Sequence, residues 1–248
     1  MRSAVLTGFV TYAFIVGATP ATFSDGDQNA ANQFSAAYWA PRHVGMVGVS
    51  SCASGPTDVV TVSASVTVGD TLIVRMITRD GNTSNPTAFD SKGNLYQRDA
   101  YADANKIDYA IFSARVVTAL VAGDTITVTH AGNTKASFVR VDEFAGIASA
   151  TRVYATNALT GTGTSSSVAA QAPSGHAIAI AGIGFKDAAT PTKPQGWTIL
   201  NSETTSCKGA LTSIAGYLVT SATGTATFAS AWSGSRDFAT AIVVYRGA

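Results

Sequence analysis

Charge is what this chain has least of. Only 12% of its 248 residues are Asp, Glu, Lys or Arg, about half the usual share of a soluble domain. The net charge is +1 and the 16 Lys and Arg are scattered, so no basic field exists to draw in nucleic acid or anionic lipid. We expect no nucleic-acid partner. Cysteine is equally scarce. Cys52 and Cys207 show no C-x-x-C spacing, which excludes a thioredoxin-like motif and a zinc knuckle. They are left as a candidate disulfide, worth about 4 to 5 kcal/mol on the loop-entropy model, or as two buried thiols.

Catalytic signatures are missing as well. No G-x-S-x-G, H-E-x-x-H or P-loop occurs, so the nucleophile, zinc-hydrolase and phosphate-cradle classes have no foothold. His43, His130 and His176 stand singly, and His130 and His176 continue apolar strand faces, as structural histidines do. One acidic position stands out. In "VRVDEFAG" the alternation puts Glu143 on the face of Val139 and Val141 and turns Asp142 the other way with Arg140. An inward Glu suits a general acid, but a glycosidase needs a second carboxylate about 5 to 9.5 Å away. Nothing in the spacing of Asp90, Asp108 or Asp187 places one there. The plainer reading has Glu143 accepting backbone N–H groups from an adjoining loop. We therefore expect no enzyme, with no catalytic, cofactor or metal residues. For sugar stacking the obvious rings are Tyr96, Tyr101, Trp197 and Trp232; Trp232 continues a core face, whereas Trp197 follows a turn near the surface.

What is present begins with an apolar segment. From Ser3 to Ser24 no side chain is charged. Thr7, Gly8, Thr11, Gly17 and Pro20 interrupt a run already short for the roughly 20 apolar residues of a membrane span, and no membrane partner is expected. Two readings remain: a secretory signal cleaved near residue 22, or a retained arm. Retained, its apolar residues must be buried, because exposing a large side chain forfeits about 1.5 to 3 kcal/mol. The arm residues are Val5, Leu6, Phe9, Val10, Tyr12, Phe14 and Ile15. A polar linker follows, with a short helix near residues 29–37, and the composition breaks near residue 45. This gives an arm and linker over 1–45 and a second unit over 46–248.

Beyond residue 45 the period is two. Strands are expected at Val60–Val66, Thr71–Thr78, Leu95–Asp99, Asp108–Val116, around Ile126 and Val128, and at Ser137–Phe144, His176–Phe185, Thr198–Ser202, Leu211–Val219, Thr225–Ser230 and Phe238–Tyr245. Many short strands with one polar face imply an all-β fold: a two-sheet antiparallel β-sandwich, jelly-roll-like, with an N-terminal extension. The phrases "VTVGDTLIV" and "LVAGDTITV" repeat a Gly-Asp pair. Glycine accepts positive φ at no steric cost and Asp bonds nearby backbone, so the echo is turn chemistry at Gly69 and Gly123.

The series "VTVGDTLIVRM", "FDSKGNLYQRD", "VVTALVAGDTITVTH", "VRVDEFAGI", "GTGTSSS" and "FATAIVVYRG" resembles a β-sandwich domain of bacterial surface proteins and of phage tail and virion accessory proteins, notably of actinobacterial hosts. The likeness covers about residues 46 to 246 and carries no catalytic motif. It implies a structural virion protein of a tailed bacteriophage: a capsid-decorating subunit or minor tail protein that is homo-oligomeric and bound to other virion proteins. The alternative is a secreted adhesin or carbohydrate-binding module at the cell surface, with host-surface carbohydrate as its ligand.

Overall fold

The computed structural model describes residues 40–248, apart from 53–54, 81–84, 105–106, 131, 150–151 and 208. The arm residues Val5, Leu6, Phe9, Val10, Tyr12, Phe14 and Ile15 and the helix expected at 29–37 lie outside the described residues. So does the side chain of Cys207. Among the described residues every regular element is a strand.

Two five-stranded sheets pack face to face, as the alternation implied. The first has the order β1 (Arg42–Ser51), β8 (Ala136–Ala145), β3 (Thr71–Arg79), β6 (Ile107–Arg115), β5 (Tyr96–Ala104). The second runs β11 (Thr198–Cys207), β12 (Gly209–Thr220), β10 (Ala177–Lys186), β13 (Gly224–Arg246), β9 (Val153–Ala172). A third sheet, β2 (Thr57–Thr61), β7 (Thr125–Thr129), β4 (Thr87–Asp90), is smaller. All pairings are antiparallel.

Three apolar cores follow from this layering. Ile73, Ile77, Tyr109, Ile111, Phe138 and Phe144 of the first sheet meet Ile178, Ile180, Val243 and Tyr245 of the second. The opposite face of the first sheet, with Leu72, Val74, Met76 and Phe112, is covered by Val60, Ile126 and Val128 of the small sheet. The far face of the second sheet, with Ile183 and Phe185, is covered by Val168, Phe228 and Trp232 from β9 and β13. Both large sheets are thus buried on both faces at their centres, which is why β3, β6 and β10 read as almost unbroken apolar runs. Close approach has its own requirement: a Cβ on Gly182 would collide with the Tyr109 hydroxyl.

The Gly-Asp echo marks a bend in one long ribbon. Residues 57–61 pair with 125–129, and 71–79 pair with 107–115 in the same register, with a Val66–Leu120 bridge between. The ribbon passes from the small sheet to the first large sheet, and each chain turns at its own corner. Asp70 N–H donates to Thr67 O (3.1 Å) and Asp124 N–H to Val121 O (3.0 Å). Gly69 and Gly123 each hold φ at +95°, the third position of a turn that needs positive φ. The second half repeats the device. β9 and β13 run as a ribbon whose register shifts between Ala231 and Arg236, so that its outer part covers its own sheet.

Candidate functional site

The most polar place in the described protein lies between the two large sheets. The first sheet supplies Arg75 from β3, Arg140 and Asp142 from β8 and His43 from β1; the second supplies Asn201 and Glu203 from β11. Arg75 Nη2 donates to Asp142 Oδ2 at 2.6 Å and Nη1 to Asn201 Oδ1 at 2.7 Å. Arg140 Nε donates to Asp142 Oδ2 at 3.2 Å, and its Nη1 lies 3.6 Å from Glu203 Oε1. His43 Nε2 lies 3.0 Å from Asp142 Oδ1. A carboxylate only accepts, so that nitrogen carries a proton. The ring packs on Phe144 and Tyr217 at 5.0 and 5.7 Å between centroids.

Asp142 is fully buried. Burial alone raises a carboxyl, but Arg75, the His43 bond and Arg140 together hold Asp142 well below the usual carboxylate range. The alternation had turned Asp142 toward solvent. It is buried instead because β8 belongs to a sheet covered on both sides, so its second face points at β11 and β12. The Tyr109 hydroxyl lies beside the Arg75 guanidinium but outside hydrogen-bonding geometry, and it and Arg75 Nε have no partner among the described residues. In chemical terms His43 is an imidazole oriented by a carboxylate, and among the described residues no Ser or Cys is bonded to its ring.

Glu143 answers the other question. It is 4% exposed, and Thr67 N–H donates to its Oε1 at 2.7 Å, so it accepts from an adjoining loop as the plainer reading held. Its second carboxylate is Asp70, from the first corner, which sequence spacing could not bring there. Burial first, and then the hydrogen bond and charge of Asp70, raise the Glu143 carboxyl above its ordinary value. A second carboxyl so close disfavours ionising both groups together.

The remaining buried polar groups tie elements together. His130 Nδ1 faces Gly132 O at 2.9 Å and Nε2 faces Asp58 Oδ2 at 3.2 Å. Burial works against its charged form, but Asp58, the Gly132 carbonyl and Asp108 outweigh it and raise the ring's pKa. Ser137 Oγ donates to the same Asp58, so Asp58 stands between the serine and the histidine. Asp90 is the hub of the "DSKGN" loop: it accepts from Lys92 N–H, Asn94 N–H, Asn94 Nδ2 and the Tyr96 hydroxyl. The Tyr245 hydroxyl donates to Asp99 Oδ2 at 2.7 Å, linking the two large sheets.

No sugar platform forms from the four rings considered. Trp232 is buried in the core as its strand face implied. Trp197 is buried too, at 8% exposure, with Nε1–H on Thr227 O and its ring edge-on to Phe228; the bent ribbon covers a position that the turn seemed to expose. Tyr96 is held by Asp90, and Arg98 lies over the Tyr101 ring. Cys52 is disulfide-bonded, with its N–H on Ser137 O at the end of β1. Whether Cys207 is its partner lies outside the described side chains. No protein-family model, no curated protein and no solved structure matches this chain.

Proposed function

We propose that this chain is a non-enzymatic structural protein of a tailed bacteriophage virion, a capsid-decorating or tail-associated subunit that associates with its own copies and with other virion proteins through its N-terminal arm. One observation carries the reading. Among the described residues the buried carboxylates Asp58, Asp90, Asp108, Asp142 and Glu143 are each bonded within the protein. The polar chemistry is thus spent on holding layers together, while the surface displays uncharged Thr and Ser and exposed apolar residues. Such a surface suits close packing among subunits. Deleting residues 1–24 is expected to leave the thermal transition of the sandwich in place and to abolish incorporation into particles. Normal incorporation of the shortened chain overturns the proposal.

A second reading, the secreted adhesin or carbohydrate-binding module, is favoured by the outer face of the small sheet. Thr57, Val59, Thr61, Thr125, Thr127, Thr129, Thr87 and Phe89 share it, without one charged side chain. Phe89 is 52% exposed, a ring on which a neutral sugar can stack. Retention on a neutral polysaccharide column that is lost in Phe89→Ala selects this reading.

A further inference from the structure

Val68, Leu95 and Val117 are 57%, 84% and 69% exposed. They sit on three different loops, and those loops are stitched to one another. Gly69 N–H donates to Val116 O and Val116 N–H to Asp70 O, both at 2.9 Å, which sets Val68 beside Val117. Asn94, buried at 3% exposure, accepts from Val117 N–H at 2.8 Å and Thr118 N–H at 2.9 Å and donates to Thr118 O at 2.9 Å. That clamp holds the residue before Leu95 against the Val117–Thr118 backbone. The backbone of this tip is therefore fixed by bonds from all three loops, while its large apolar side chains project outward. An apolar patch held on a firm backbone marks an interaction surface, because its residues are not there to fill a core.

We infer that this tip receives the uncharged apolar segment, residues 4–16, of a second copy of the chain. The inference rests on the assembly reading above and names its receiving surface. Three facts select this occupant. The three projecting side chains of the tip are apolar, with the charges of Asp70, Lys92 and Arg115 at their margin, and residues 3–24 carry no charge to be desolvated against them. β1 begins with Arg42 opposite Ala145, while Thr71 pairs with both Phe144 and Arg115, so the chain leaves the first sheet at the same end as the tip. Residues 17–41 span at most about 85 Å when extended, which reaches a neighbouring molecule. Strand addition to a sheet edge is the weaker route. The edges of the two large sheets, β1, β5, β11 and β9, each have a register shift in their pairing, and the edges of the small sheet, β2 and β4, are only five and four residues long; both are devices that blunt an edge as a template.

The test is sedimentation velocity of three full-length proteins at micromolar concentration: the wild type, the tip variant Leu95→Asp/Val117→Asp, and the arm variant Phe9→Asp/Ile15→Asp. A photo-crosslinker at residue 117 in a mixture of light and heavy-isotope copies adds the identity of the contact. The wild type is expected to self-associate, both variants to fall to monomer, and mixed-isotope crosslinks to join residue 117 to peptides within 4–16. The tip variant keeps its thermal transition, since both side chains are exposed and the Asn94 clamp uses backbone groups. Association that survives in the tip variant but not in the arm variant, or crosslinks that join 117 to another sandwich, overturns this inference alone. A wild type that stays monomeric, or an arm variant that associates as the wild type does, overturns the assembly reading with it.

Discussion

The corners at Thr67–Asp70 and Val121–Asp124 are alike in backbone and unlike in chemistry. Both close a turn on an Asp N–H, both hold glycine at φ +95°, and both feed a strand of the same ribbon. Their carboxylates meet different surroundings. Asp124 is turned outward, accepting from Val121 N–H at 2.8 Å and facing Lys92 Nζ at 3.1 Å. The Val121 bond, ahead of Lys92 and Ser91, lowers its pKa. Asp70 lies against Glu143, and that carboxyl is raised. A repeated phrase thus determines the turn, whereas the electrostatics belong to whichever strand the turn faces.

Substitution of the two glycines should give the largest effects. Gly69→Val and Gly123→Val are each expected to lose about 1 to 3 kcal/mol, since a β-branched residue is strained at positive φ. The losses should nearly match, because a Cβ on Gly69 meets only Arg115 Nη2 at 3.6 Å and one on Gly123 meets nothing within 4 Å. Denaturant unfolding of both variants checks this; an unchanged midpoint in either breaks the likeness of the corners.

Glu143→Gln separates them, with a smaller effect. A carboxyl raised in the folded state stabilises fully below its unfolded value and loses that contribution as pH rises through the folded value. Gln keeps an acceptor for Thr67 N–H and offers Asp70 a donor, so it mimics the protonated Glu143. The variant should match the wild type near pH 4 and exceed it in stability at pH 7. A variant less stable at pH 7, or a hydrolytic activity that vanishes in it while the fold survives, contradicts the structural role. Asp124→Asn should have the least effect. A half-buried charge facing Lys92 near the surface is partly screened by salt, so a slight loss of thermal stability at low ionic strength should shrink in 1 M NaCl.

Much of this was legible in the sequence, and most of the failures trace to the stacking of layers. The alternation located β3, β6, β8, β10 and β12 to within a residue or two, and positive φ at Gly69 and Gly123 followed from turn chemistry. β9 went unread because "TGTGTSSS" has no apolar face in its outer half until Val168. Asp142 was turned toward solvent because the alternation of a single strand assumes one wet face, and Trp197 was placed near the surface because it follows a turn. In a stack of layers both faces are covered, and only the order of the sheets decides which polar residue is buried. Asp70 could not be matched to Glu143 for the same reason: the contact joins a corner to a strand far along the chain.

The central claim is that residues 3–24 persist in the mature protein as an assembly arm. Peptide mass mapping of the protein released from purified native particles tests it most directly. Tryptic peptides covering residues 4–16 in the particle-borne chain are the expected result. A mature N-terminus near residue 22, on protein found free in the medium or at a cell surface, would contradict it.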